Sequence, residues 1–372
     1  MPAYDPIATV RVRTVRIPAR ATHSHGSGDV SAVNTIVLEV TTEGGVTGWG
    51  EASPWAVFTG TIEANLGALE MMRPVLIGAN PLEVERLLAV FARTVVHCTE
   101  AKAALETALL DIAGRKSGLS VAELVGGRCR EPIPLSFSVA NPDFDADLET
   151  VAALHADGVR LFKMKTGFAG HRFDLMRLER LRRDYDDLDL RVDYNQGLSA
   201  YDAIRQLRDI EAFRPTFIEQ PLPRHNLEGM ARIAHALDTP LLADESVFDP
   251  RDALVAVRMD LADLFSLKIM KSGGIRRALE VAAIARAAGI GVYGGCMFET
   301  GIAHAAGTHL MAAIPDLELG CEFYMSTYYL QEDILAEPFP VRNGQVHVPT
   351  GPGLGVEVDR AKLDRFTLSV AS

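Results

Sequence analysis

Three acidic residues lie at near-equal intervals along this 372-residue chain, each closing an apolar run. They are Asp193 in LRVDYNQ, Glu219 in TFIEQP and Asp244 in PLLADES. Lysines flank the series, Lys163 and Lys165 upstream in LFKMKTG and Lys268 downstream in LFSLKIMKSGG. The steps from Asp193 to Glu219, Asp244 and Lys268 are 26, 25 and 24 residues, each about one strand plus one helix of a parallel α/β fold. One acid at a strand end is usually a helix cap or an ion-pair partner. Three in series favour ligation of a hard divalent cation, Mg²⁺ or Mn²⁺, by Asp193, Glu219 and Asp244. Asn195 and Glu245, beside two of these acids, either orient the ligands or make purely structural hydrogen bonds.

Strand side chains alternate, so Lys163 and Lys165 point to one face. Two ammonium groups close together make the doubly charged state costly and lower one pKa, which would turn a lysine into a usable base at neutral pH. Lys268 has a similar apolar context, whereas Lys271 is expected at the strand exit or facing solvent. A carbon acid beside a carboxylate is very weak. A divalent ion on that carboxylate offsets the charge that grows as an enediolate forms, and flanking lysines can carry the proton.

The elements that must position these groups are legible in outline. The first part reads as a hairpin-rich sheet: ATVRVRTVRIP, NTIVLEV and VTGWGEAS, the last two joined through TTEGG. A helix over TEAKAALETALLDIAGRKSG is closed by Gly118, and the short VAELVGG helix by Gly126 and Gly127. From Pro134 the rhythm becomes strand, helix, strand, with eight strand candidates: PLSFSV, LFKMKTG, LRVDYNQ, TFIEQP, PLLADES, LFSLKIM, IGVYGG and LELGCEF. Ser199 marks one helix start, and Asp249 followed by Pro250 another. Eight strands in alternation predict a closed barrel with its chemistry at the C-terminal strand ends. A doubly wound sheet would carry a Gly-rich phosphate loop, which is absent here. The Gly/Pro-rich tail VRNGQVHVPTGPGLGVEVD is expected to return to the first domain.

Composition bounds the rest. With 48% hydrophobic and 23% charged residues the chain is an ordinary globular protein, and its net charge of −12 argues against nucleic-acid binding. No apolar stretch suits a membrane span or a signal peptide. Cys98, Cys129, Cys296 and Cys321 are scattered without metal-type spacing and read as reduced thiols, so a cytoplasmic location is expected.

The motifs FKMKTG, RVDYNQ, FIEQPL, ADES, SLKIMKSGGI and YGGCMFETGIAHAAGTHL resemble those of the enolase superfamily, muconate lactonizing enzyme subgroup, over nearly the whole chain. EAKAALETALLDIAGRKSGLSVAELVGGR, GMARI, LELGCEF and EDILAEP are similar to muconate cycloisomerases in particular. The resemblance implies a (β/α)7β modified TIM barrel over 132–340 and an α+β capping domain built from 1–131 and the returning segment 341–372. It implies metal ligation by Asp193, Glu219 and Asp244, and Lys165 as general acid/base with Lys163 as its electrostatic partner. Lys268 becomes the group on the opposite face. Glu299 matches a family acid after the seventh strand, as a substrate contact or a partner for Lys268. Capping-domain loops close over the substrate in such proteins. Here they would be Ser53 to Gly60, with Trp55 and Phe58 as pocket walls, and a loop between the first two strands carrying His23 and His25. A homo-oligomer is implied as well.

The chain departs from the cycloisomerase pattern where YMSTYYL replaces a Gly-Pro turn. It departs again at FETGIAHAAG, which is expected to bring His304 near the site. No Asp-x-Asp pair follows the last barrel strand, which disfavours dipeptide epimerases. The leading expectation is a Mg²⁺- or Mn²⁺-dependent cycloisomerisation of cis,cis-muconate or a related dicarboxylate to a lactone. The alternative is a racemase, epimerase or dehydratase of an N-substituted amino acid or cyclic imino acid, using Lys165 and Lys268 on opposite faces. A Schiff-base aldolase and a non-catalytic binding protein are the remaining readings.

Overall fold

The computed structural model describes residues 5–25 and 28–371. Residues 1–4, 26–27 and 372, which the expected segments 1–131 and 341–372 include, lie outside the described residues. The N-terminal region forms a four-stranded antiparallel sheet. Its strands are β1 (Ile7–His25), β2 (Gly28–Thr42), β3 (Thr47–Ala52) and the C-terminal strand Thr367–Ala371, in the order C-terminal strand, β1, β2, β3. The tail therefore does return, pairing antiparallel with β1 along Val12–Val15. Helices α1 (Ile62–Leu76), α2 (Val84–Thr94) and α3 (Thr99–Ser117) complete this capping domain.

Helix α3 is buried on nearly all sides because Ala, Leu and Ile surround its axis rather than striping one face. Gly118 ends it in the left-handed conformation, φ 76°. The sheet approaches α3 closely through Gly48 and Gly50, two residues apart on one face of β3. An added Cβ would lie 2.2 Å from the Ala108 carbonyl oxygen at Gly48, and 1.9 Å from that of Ala104 at Gly50. Two strand steps and one helical turn cover similar distances, so the two glycines meet the two carbonyls in register.

The second region is a parallel seven-stranded sheet of β4 (Ser136–Val139), β5 (Leu161–Lys165), β6 (Asp189–Asp193), β7 (Ile218–Glu219), β8 (Leu241–Ala243), β9 (Leu264–Leu267) and β10 (Gly291–Gly294), neighbours in sequence order. Helices α4 (Phe144–Ala156), α5 (His171–Asp184), α6 (Ala203–Glu211), α7 (Leu227–Ala236), α8 (Pro250–Arg258), α9 (Ile275–Ala287) and α10 (Gly301–Ala312) alternate with it. The eighth position is the exception. LELGCEF forms no regular strand; Cys321 alone bridges Leu135 on one side and Gly294 on the other. Gly320, at φ 76°, turns the chain so that one residue pairs with both edges and closes the barrel. The fold is thus a modified TIM barrel with an α+β cap.

Two local expectations need correcting. Ser199 does not start α6: Asp202 holds the N-cap position, and the Ser199 carbonyl accepts from the Asp202 and Ala203 amides in a preceding turn. His23 and His25 do not sit in a loop. Both belong to the end of β1 and are buried. Asp249 and Pro250 do open α8, with Asp252 completing a capping box.

Cap and barrel are joined by buried carboxylates. Glu106 of α3 reaches the start of α9, both oxygens lying 3.4 Å from the Arg276 amide. Burial pushes its pKa up to about 7, against the weaker pull of the amides and Arg276. The folded state therefore holds a proton that the unfolded chain releases above its ordinary 4.5, and stability falls as pH rises from about 4.5 to 7. Glu106→Gln should match the parent near pH 4.5 and exceed it by about 3 kcal/mol at pH 8, read from urea midpoints. Gly50→Ala should cost at least about 2 kcal/mol in the same assay, because backbone rather than a movable side chain blocks the added carbon. Gly67→Ala, in α1 with open space around it, should be neutral or slightly stabilising.

Candidate active site

Strands β5 to β7 end in charged residues singled out by their spacing, β8 and β9 are followed directly by two more, and the barrel brings them together. Lys165 and Asp193 are paired neighbours across β5 and β6, and Asp193 and Glu219 across β6 and β7. Asp244 follows β8, and Lys268 follows β9. Two of the exits use left-handed residues other than glycine: Asn195 at φ 41° and Gln220 at φ 35°. The Asn195 amide turns back to donate to Asp193 Oδ1 at 2.8 Å. The Gln220 side chain accepts from the Asp244 and Ser246 amides at 3.0 and 3.1 Å.

The side chains form one buried network. Lys165 Nζ donates to Asp193 Oδ2 at 2.6 Å and to Asn195 Oδ1 at 3.1 Å. Lys163 Nζ donates to Glu219 Oε2 at 2.8 Å and Glu322 Oε1 at 2.6 Å, with Asp193 Oδ2 at 3.3 Å. Lys268 Nζ meets Asp244 Oδ2 at 2.5 Å. Lys271 Nζ meets Asp244 Oδ1 at 2.9 Å, the Asp244 carbonyl at 2.7 Å and the Ser266 carbonyl at 2.8 Å.

Burial pulls the Lys163 pKa down, but Glu219, Glu322 and Asp193 outweigh burial and hold it well above the usual lysine range. One expectation changes here. Lys271 does not face solvent. It is 1% exposed, because the short helix Ile269–Ser272 folds it back beneath Asp244.

The carboxylates divide by their partners. Burial raises Asp193, but Lys165 and Lys163 bring it down to about 2. Asp244 is likewise raised by burial and driven well below its ordinary value by Lys268 and Lys271. Glu219 is pushed up to about 8 by burial and by Asp193, despite Lys163. Glu245 is raised well above the usual range by burial and by Asp244 and Asp193. Asn195 Nδ2 reaches Glu245 Oε1 at 3.5 Å. Among the described residues, Glu219 Oε1 and Glu245 Oε2 are buried without a hydrogen-bond partner. Also among them, no three acidic, histidine or cysteine side chains are already gathered around a common point, because the carboxylates turn toward lysines. Unpartnered hard oxygens in a crowded acidic cluster are nonetheless the donor set a divalent cation takes.

A cavity of about 30 Å³ lies over this network, lined by Lys165, Asn195, Lys268, Glu322, His25 and Trp55 among others. Its walls are aromatic. Trp55 packs edge-on against His25 at 4.3 Å and Phe298 at 5.6 Å. Phe58 covers Lys268, whose Nζ lies 4.7 Å from the ring centre. Burial lowers the pKa of His25 to about 4, so it is neutral at physiological pH. Glu299 does not line the cavity; its Oε1 accepts from the Met297 amide, and burial and Glu51 push its pKa to about 8. His304 is not at the cavity either. It is buried behind it, bonded through Nδ1 to Ser326 and packed between Phe323 and Phe339. A larger cleft of about 630 Å³ lies elsewhere, where Arg115 and Arg360 are already paired with Asp111, Glu357 and Glu39.

The residue that sequence reasoning passed over is Glu322. It stands at the end of the eighth-strand segment LELGCEF, and the strand-end rule that picked the other acids would have found it. Removing one partner of a buried ion pair leaves a charge without compensation. Lys271→Met should therefore lower unfolding free energy by about 3 kcal/mol, measured from denaturant midpoints.

Comparison with known proteins agrees with the geometry. Residues 146–362 match the enolase C-terminal domain-like family, and residues 7–126 match the mandelate racemase/muconate lactonizing enzyme N-terminal domain. A muconate cycloisomerase structure from Azorhizobium caulinodans is 48% identical, covering 98% of this chain and 99% of that one, with a TM-score of 0.86. The muconate lactonizing enzyme of Pseudomonas fluorescens, solved with muconolactone, is 31% identical over 98% of this chain and 100% of its own, with a TM-score of 0.94. The N-succinyl Arg/Lys racemase of Bacillus cereus is 29% identical over 98% and 99% of the two chains, with a TM-score of 0.93. With both family models matched and the strand-end acids and lysines gathered in one mouth, the chain is an enolase-superfamily enzyme and belongs to the mandelate racemase/muconate lactonizing enzyme family.

Proposed function

We propose that this enzyme converts cis,cis-muconate or a closely related dicarboxylate to a lactone, with Lys165 as the proton donor to carbon. The observation that carries the reading is the placement of Lys165 and Lys268. Lys165 ends β5 and Lys268 follows β9, four positions apart in a barrel of eight, and both line one cavity. They therefore face each other across the space where a planar carboxylate substrate would lie. The muconate-processing relatives support the substrate class.

Asp193, Glu219 and Asp244 are the residues that would hold a divalent ion, with Asn195 and Glu245 orienting them. Bound there, Mg²⁺ or Mn²⁺ would supply charge neutralisation for the enolate oxygens. The chain's own groups do the rest. One carboxylate oxygen of the substrate adds to a carbon of the distal double bond, closing the ring. The electron pair released moves to the carbon beside the other carboxylate, where Lys165 delivers a proton. Asp193 and Asn195 hold the Lys165 ammonium in place. Lys163 offsets the charge of Glu219 and Glu322. Lys268, held by Asp244 and capped by Phe58, contributes positive charge on the other face. Trp55 and His25 wall the cavity, and Phe58, which does not line it, covers Lys268 from behind.

A second reading keeps the same site. Two lysines on opposite faces also suit racemisation of an N-substituted amino acid, and the Bacillus cereus racemase shares the fold. Proton NMR in D₂O with Mg²⁺ separates the two. Muconate should give lactone carrying one deuterium at the methylene; exchange only at an amino-acid α-carbon would overturn the cycloisomerase reading. Lys165→Ala should lower turnover by about 10²–10⁴-fold while Mn²⁺ still binds, followed by its paramagnetic signal. EDTA should abolish activity, and Mg²⁺ or Mn²⁺ should restore it.

A further inference from the structure

Behind the cavity, the turn that carries Lys165 out of β5 is held by a fully buried ion pair on α5. Arg177 Nη2 donates to the Lys165 carbonyl at 2.6 Å and to Asp174 Oδ1 at 2.6 Å. Asp174 Oδ2 accepts from the Gly167 amide at 3.0 Å. Between those two points, the amide and hydroxyl of Thr166 both donate to the Asp193 carbonyl at 2.9 Å. Three consecutive residues are thus tied down, and Gly167 at φ 83° lets the chain turn tightly enough for it.

The guanidinium is itself rigid. Its carbon lies 4.8 Å from the ring centre of Phe168 and 4.7 Å from that of Phe173. Nε and Nη1 have no hydrogen-bond acceptor among the described residues, so Arg177 uses one nitrogen of three. Burying such a charge is costly, and an apolar side chain of the same size would pack as well or better. What an apolar chain could not do is grip the Lys165 carbonyl and Asp174 together.

We infer that Arg177 and Asp174 are positioning residues that fix the backbone of Lys165 and so set where its ammonium meets the substrate. The tie closes a circuit. The Lys165 ammonium binds the Asp193 carboxylate, the Asp193 carbonyl holds Thr166, and Arg177 holds the Lys165 carbonyl. Neither positioning residue lines the cavity, so neither touches substrate. The inference rests on Lys165 being the proton carrier, as proposed above.

Two readouts test it, one independent of activity. The chain has seven lysines, so ¹³Cε-lysine NMR is tractable, with the Lys165 signal assigned from Lys165→Ala. In Arg177→Met the Lys165 signal should shift or broaden while those of Lys268 and Lys271 stay. Deuterium exchange into muconolactone should lose about 10- to 100-fold in kcat with KM nearly unchanged, as expected for a misplaced acid/base group. Arg177→Lys keeps the charge opposite Asp174 and serves if the methionine variant fails to fold; it should show the same selective change, smaller in size. A Lys165 signal that stays, or that moves together with all the other lysine signals, would overturn the inference and leave Arg177 a purely structural residue. If the parent enzyme ignores muconolactone, the functional proposal fails but the NMR arm still decides the clamp.

Discussion

The mutual neutralisation of buried charge is the constraint on which this structure depends. Four lysine ammonium groups and at least five carboxylates share the barrel mouth, nearly all shielded from water. An isolated ion in such surroundings would cost many kcal/mol, so each persists only because its partners are fixed in place. The pairing is unequal by design of the strand order. Asp193 and Asp244 each take two lysines and stay ionised, while Glu219 and Glu245 are left crowded by like charge with oxygens unpartnered. That imbalance leaves unpartnered carboxylate oxygens at the centre of the mouth.

Holding this network demands that strand ends be stiff. Left-handed Asn195 and Gln220 turn two exits sharply, and the Asn195 amide and Gln220 side chain bond the neighbouring Asp193 and Asp244. Strain of about 1–3 kcal/mol at such positions persists only where packing over-determines the conformation. The barrel interior supplies that packing, with β5 to β9 buried on both faces as parallel strands require. On the other side, the cap is docked by polar contacts. Glu51 binds the Thr300 and Ala303 amides at the start of α10, and the Ser53 hydroxyl donates to the Phe298 carbonyl. These contacts set Trp55 and Phe58 over the lysines. The remaining cavity of about 30 Å³ has room for little more than water.

Legibility followed the strength of local signals. Asp193, Glu219 and Asp244 could be found because a βα repeat has a regular length and strand ends share one side of a barrel. Lys163 and Lys165 could be paired because strand alternation is a local rule. Glu322 was legible by the same strand-end rule, because LELGCEF reads as the eighth strand; what no local pattern showed is that Cys321 alone bridges both neighbours and that Glu322 meets Lys163. Lys271 was misread because three residues after a strand suggests exposure, whereas a four-residue helix returns it beneath Asp244. His304 and Glu299 lie near the site in sequence, yet their side chains point into packing behind it.

By itself, then, the sequence determined the kind of fold, the order of its strands and which residue types stand at their ends. Each follows from periodicity and turn chemistry within some thirty residues. Tertiary structure decided which carboxylate meets which lysine, which pKa values rise and which fall, and that α5 reaches back to grip the strand before it. Those outcomes depend on distances of 2.5–3.3 Å between groups tens or hundreds of residues apart. Electrostatic energy in a low-dielectric interior changes steeply over such distances, and no local pattern encodes them.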